Sequence, residues 1–311
     1  MASRKYRLKK GEPVPEGIAR IAVGRIDHAL DGLRGKTDST PEEAVHEARK
    51  DMKKLRALLR LVRGELGDET YRRENESFRD TAAELAGVRD ADVMLSTLGG
   101  LEKRYGADLP ADIAGGLRQA LEVHHGATTG EGRDEAAKLA VERLRQARKR
   151  VDHWPLERDG FEPVEEGLRR IYRQGRRGFE SARRDPSAEH LHEWRKRVKD
   201  LWYHCSILER AWPPVMAALA DEAHELSDRL GDDHDLAILL TWAHEHATAL
   251  DGMERLLAFE ELVHRRRQEL QAEAFVYGAR LYADKAGTFM RRVESWWRAS
   301  EGAQRAAPAH R

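Results

Sequence analysis

Two ten-residue segments of this chain carry the same ordered set of cationic side chains. Residues 46–55 read H-E-A-R-K-D-M-K-K-L and residues 192–201 read H-E-W-R-K-R-V-K-D-L, a shared frame of H-E-x-R-K-x-x-K-x-L offset by 146 positions. Arginine presents a flat fork of donors that fits phosphate oxygens, lysine a compact mobile charge, and a protonated histidine two further donors. Spaced at i, i+3 and i+4, such residues form a row of close like charges, which destabilises its own helix unless an anion lies along it. The row suits a linear polyanion better than a single small anion.

At about 100° per residue, His46, Arg49, Lys50, Lys53 and Arg60 fall on one helix face, and Met52, Leu55, Leu58, Leu59 and Val62 on the other. In the second segment His192, Arg195, Lys196, Lys199 and Arg210 share a face with Tyr203, while Val198, Leu201, Cys205 and Leu208 lie opposite. A charged helical face is ordinarily just a solvated one. Solvation needs charge, however, and not the same residue types in the same order twice. Glu47 and Glu193 read as partners for the fold, and Asp90 and Asp235 as groups that orient a neighbouring Arg or His.

Other segments repeat in the same order. Leu85–Val93 (L-A-G-V-R-D-A-D-V) answers to Leu230–Ile238 (L-G-D-D-H-D-L-A-I), and Ile18–Ile21 to Leu168–Ile171, at offsets of 145–150. The chain is therefore an internal duplication. By this register Arg20 corresponds to Arg170, which shares a face with Arg173 and Arg177. Arg79 corresponds to His224, and Arg89 to His234. All these residues join the candidate binding set.

The elements that must position the set are helices. Charged residues make up 35% of the 311 positions and aromatics 6%, as in long amphipathic helices. The pattern predicts helices over 15–34, 41–65, 69–104, 109–125 and 134–153, then 163–183, 187–210, 213–250, 252–275 and 279–300. Thr40-Pro41-Glu42-Glu43 marks a capped start, and Asp185-Pro186 opens its counterpart. The stretch from Trp154 to Pro163 separates the halves, and Gly126–Asp134 reads as a mobile loop. No segment alternates like a strand. The expected fold is all-α: an N-terminal segment (1–14) and two tandem pseudo-symmetric, antiparallel four-helix-like bundles (15–155 and 163–300) sharing a basic groove within one domain.

Several function classes fall away. There are 55 basic and 55 acidic residues, so overall charge does not mark a nucleic-acid binder. Charge is nonetheless segregated, with seven Lys/Arg against two acids over residues 45–63. A lone cysteine, Cys205, leaves no disulfide framework and no cysteine zinc site. The basic N-terminus lacks the apolar run of a signal peptide, and Leu236–Ala243, the longest largely apolar stretch, is too short to span a bilayer. A cytoplasmic location is expected. Neither nucleotide-binding glycine motif occurs, and no cofactor is expected.

At the doubled motifs the chain resembles the CHAD (conserved histidine α-helical domain) family. The segments at His46 and His192 look like its hallmark, as do those at Leu85 and Leu230, and the resemblance runs from about residue 5 to 298. It implies paired helical bundles with a basic central surface that binds inorganic polyphosphate, at polyphosphate or storage granules and beside granule-associated proteins. Carried over, the binding role falls on His46, Arg49, Lys50 and Lys53, and on His192, Arg195, Lys196 and Lys199. Some members carry an N-terminal triphosphate-tunnel domain with catalytic activity. There is no room for one before residue 15, so a non-enzymatic role is expected. Arg89 stands where the second copy has His234, so the halves need not contribute equally.

Two rival readings remain. Fourteen histidines and the His234-Asp235 pair invite a metal-dependent phosphohydrolase, but H-E-x-x-H is absent, and Arg and Lys beside a would-be ligand disfavour a cation. Nucleic acid shares the phosphate, yet base-tolerant single-strand binders interleave aromatics for stacking. The basic faces here offer little beyond Tyr203. No oligomeric state is assigned.

Overall fold

The computed structural model describes residues 6–85, 90–106, 108–109, 111–128, 133–246 and 253–306. These residues are all-helical, with no strand. In chain order the helices are α1 (Val14–Leu33), α2 (Pro41–Leu61), α3 (Arg63–Glu84), α4 (Asp90–Tyr105), α5 (Ala111–Thr128) and α6 (Arg133–Val151), and then α7 (Glu162–Arg184), α8 (Ala188–Ile207), α9 (Pro213–Glu245), α10 (Met253–Leu281) and α11 (Ala286–Ala306), with a 3-10 turn at Glu209–Ala211.

Local signals act where the sequence puts them. Thr40 closes a reciprocal capping box: its side chain accepts from the Glu43 amide at 3.2 Å, and its own amide donates to the Glu43 carboxylate at 2.9 Å. The second copy differs from expectation. Ser187 caps α8 by accepting from the His190 amide, and Asp185 ends α7. The helix expected over 41–65 stops at Leu61, and Gly67 kinks α3 by taking φ +70°, a left-handed conformation open to glycine. The single helix expected over 69–104 is two, α3 and α4, with residues 86–89 outside the described set. Its counterpart α9 runs unbroken for 33 residues. In the predicted loop at 126–134, residues 129–132 likewise lie outside the described set.

The apolar faces pack as periodicity requires. Met52, Leu55, Leu58, Leu59 and Val62 are buried, as are Val198, Leu201, Cys205 and Leu208. The cores do not divide along the sequence halves. One cluster joins α1–α3 and α6 of the first half to α7, α8, α11 and the start of α9. A second joins α4 and α5 to the end of α9 and the start of α10. Helices α9 and α10 are long enough, at about 1.5 Å per residue, to serve both cores. The second cluster is edged by ion pairs from Arg104 to Glu269 (2.6 Å) and Arg255 to Asp112 (2.8 Å).

Candidate polyanion-binding surface

Helices α2 and α8, which carry the repeated stripe, cross each other. The Arg60 guanidinium donates to Asp200 at 3.0 Å, and the His204 Nε2–H donates to the Ala57 carbonyl at 2.9 Å. Moving toward the end of α2 thus moves toward the start of α8, so the helices run antiparallel. Ala57 and Tyr203 each lie eleven residues after the histidine of their own stripe, on the same helix face. Both are buried. The C-terminal end of the α2 stripe therefore packs against the flank of α8 that carries Asp200 and His204, while the stretches 46–53 and 192–199 extend about 16 Å to either side of the crossing.

Periodicity places Tyr203 on the anion-facing surface; the structure places it inside. It is 3% exposed, edge-on to Tyr6 at 5.8 Å. Helical periodicity fixes the face of a residue but not the height at which a neighbour covers it. Tyr6 in turn donates to the Lys54 carbonyl at 2.7 Å, and the Leu8 amide to the Ile207 carbonyl at 3.0 Å. The N-terminal segment thus straps the crossing.

Two buried carboxylates brace the striped helices, Asp200 joining α8 to α2 and Asp51 joining α2 to α1. Asp200 accepts from Arg60 and, at 3.3 Å, from Arg197. Asp51 accepts from His28 Nδ1 at 2.5 Å and from Arg25 at 3.3 Å. Sequence reasoning passed over this lattice. Its signal was a swap between copies: Asp51 aligns with Arg197, and Lys54 with Asp200.

The stripe itself is half-buried to exposed. Lys50 pairs with Glu47 at 2.8 Å, and Lys196 with Glu193 at 2.5 Å. The same i,i+3 neutralisation in both copies relieves the crowding of positive charge. The Lys50 hydrogen bond holds Glu47 below the usual carboxylate range although burial pushes it upward. Lys196 does the same for Glu193, more strongly than burial opposes it. Lys53 is exposed and Lys199 half-buried.

Helix α9 completes the second stripe. The His234 ring lies 4.4 Å from that of His192, and His224 sits edge-on to Trp202 at 3.8 Å while pairing with Asp228 at 2.8 Å. Arg195 lies over Gly231, where a Cβ would come within 2.7 Å of its guanidinium. On the first copy Arg79 is exposed and pairs with Asp80 at 2.8 Å; Arg89 falls outside the described residues.

The remaining candidates are dispersed. Arg20 is held away from the stripe by a two-point grip on Glu12 (2.5 and 2.7 Å) and by the Arg7 carbonyl. Arg60 serves the α2–α8 brace. Arg210 donates to the carbonyls of Lys9 and Glu12. Arg170 pairs with Glu166 and donates to the Arg60 carbonyl, both at 3.1 Å, while Arg173 and Arg177 are exposed farther along α7. Helix α7 approaches α2 there because Gly167 has no side chain; a Cβ would overlap the Leu61 carbonyl.

A helical body with the doubled stripe on two crossing helices is thus in place, and the model of the CHAD domain matches residues 18–244. The chain belongs to the CHAD domain family. This CHAD domain has the same fold as solved relatives. The structure of PptA from Streptomyces chartreusis is similar with a TM-score of 0.58 at 14% identity, over 88% of this chain and 100% of that one. The CHAD domain from the plant Ricinus communis is similar with a TM-score of 0.57 at 19% identity, over 90% and 95%. No curated protein sequence matches. Among the described residues of this CHAD domain, no helix is long and apolar enough to cross a membrane, and no three His, Cys, Asp or Glu side chains are arranged to hold a metal ion.

Proposed function

We propose that this CHAD domain binds inorganic polyphosphate along the stripes of α2 and α8, as a non-catalytic module that targets or scaffolds at polyphosphate granules. The observation that carries the reading is repetition joined to packing: the same His-Arg-Lys-Lys set stands on two antiparallel helices that touch each other, Arg60 to Asp200 and His204 to Ala57. Arg49, Lys50 and Lys53 on one side, and Arg195, Lys196 and Lys199 on the other, supply the charge that matches a repeating phosphate chain. His46, His192, His224 and His234 add donors, with Arg79, Arg173 and Arg177 as outer cations. Membership of the family supports the choice of ligand.

The nucleic-acid reading is disfavoured by the aromatics. Trp202 is already covered by Tyr203 at 4.7 Å, by His224 and by the Lys199 ammonium at 6.0 Å, and so presents no open face for a base. Titration with long-chain polyphosphate, competed by single-stranded DNA and by orthophosphate at matched phosphate concentration, tests the proposal. Binding that neither competitor displaces supports it. Equal displacement by DNA makes the surface a general polyanion binder.

A further inference from the structure

Where α8 and α9 run side by side, the rings of His192 and His234 lie 4.4 Å apart between centres and are tilted by 33°. The Nδ1 atom of His192 is buried and has no hydrogen-bond partner. Among the described residues, the charges that bear most on the two rings come from three helices: Glu193, Arg195 and Lys196 of α8, Asp233 of α9 and Arg267 of α10. Helix α7 packs on α8 beside them, through Gly178 against Trp194 and Gln174 against Arg197.

Both acids in this group are already matched. Glu193 holds Lys196 at 2.5 Å. Asp233 accepts from Arg267 at 3.1 and 3.3 Å and from Gln271 at 2.8 Å. A proton on either ring would therefore face Arg195, Lys196 and the other imidazole with neither of these carboxylates to spare. Burial, reinforced by His234, Lys196 and Arg195, pushes His192 down to about 4. Burial and Arg195 likewise lower His234. At neutral pH both rings are neutral.

Resting on the polyphosphate reading above, we infer that the His192–His234 pair couples polyphosphate binding to proton uptake, so that the grip tightens as pH falls. Phosphate oxygens laid along Arg195 and Lys196 cancel the two charges that oppose protonation, and they accept the hydrogen bonds an imidazolium offers. The proton passes from hydronium or buffer acid to a ring nitrogen, one bond to hydrogen breaking as the N–H bond forms, and no other bond changes. The paired rings belong to the second copy. The first has His46, but Arg89 stands at the position of His234, and an arginine keeps its proton throughout.

Calorimetric titration of the full chain with long-chain polyphosphate, near pH 7 in buffers of differing ionisation heat, reads the protons directly. Long chains keep the titrating end groups of the ligand few. Net proton uptake is expected, with affinity rising as pH falls from 8 to 6, by up to about tenfold per pH unit for each proton taken up. His192→Asn and His234→Asn each reduce the uptake and flatten the pH profile while binding persists; His153→Asn, at an exposed histidine outside the stripes, changes neither. His234→Arg, which copies the first half, binds with its pH dependence flattened. Binding without buffer-dependent heat overturns the inference, as does uptake that survives both asparagine variants. Failure to bind polyphosphate at any pH overturns the functional reading instead.

Discussion

Arg60, near the end of α2, donates to Asp200 in the middle of α8 at 3.0 Å, tying the first copy of the repeat to the second. Asp200 is buried and shares its other oxygen with Arg197. Cations that look alike in the sequence therefore divide into two kinds: those that hold the crossing and those that line it.

Arg60→Ala leaves Asp200 with Arg197 alone. The expected loss of stability is about 2–3 kcal/mol, discounted from the cost of breaking a fully buried pair because Arg60 is partly exposed. Urea denaturation reads the loss. The same variant should alter polyphosphate affinity far less than Lys196→Ala does, and a reversed ranking would make Arg60 a ligand contact.

Gly231→Ala separates binding from folding in the opposite direction. Alanine is the better residue in a helix interior by roughly 0.5–1 kcal/mol, and the nearest neighbours of a new methyl group are atoms of the flexible Arg195 guanidinium. Thermal stability should hold or rise while polyphosphate binding weakens severalfold as Arg195 is displaced. Unchanged affinity would show that the position of Arg195 is immaterial.

Gly167→Ala meets backbone instead of a movable side chain. A methyl group there overlaps the Leu61 carbonyl and forces α7 away from α2. Overpacking of this kind costs on the order of 3 kcal/mol, to be read as a lower urea midpoint.

Acid should destabilise the crossing through His204. Its ring is buried against the Ala57 carbonyl, and burial pushes its pKa down to about 4. Between about pH 4 and the unfolded value near 6.5, the unfolded chain binds the extra proton. Stability is therefore full above that window and falls as pH is lowered through it, by about 3 kcal/mol for this one group. Urea midpoints measured across the window should drop more steeply for the native chain than for His204→Gln.

Much of this was legible in the sequence because it is local. The 3.6-residue period named the buried faces of α2 and α8, and Thr40 with Glu43 named a helix start. The doubled motif named the stripe. What escaped depends on contacts between distant segments. Tyr203 has the right face but lies at the height where Tyr6 and Trp202 cover it. Asp51 and Asp200 sit on the flank of the stripe, where a single acid among many lysines and arginines looks like a surface residue. Nothing local shows that α9 and α10 run on into a second core with α4 and α5, which joins the halves that the repeat keeps apart.

If both stripes hold one polyphosphate chain, the two sets of cations must act together. The most direct measurement compares polyphosphate affinity and its salt dependence for Arg49/Lys50/Lys53→Ala, for Arg195/Lys196/Lys199→Ala, for the two sets combined, and for Lys285→Ala as a distant control. The expected result is a loss of tenfold or more for each set, near abolition for the combination, and a shallower dependence on salt with every set removed, as fewer counterions are released. Native affinity and an unchanged salt slope in the combined variant would contradict it.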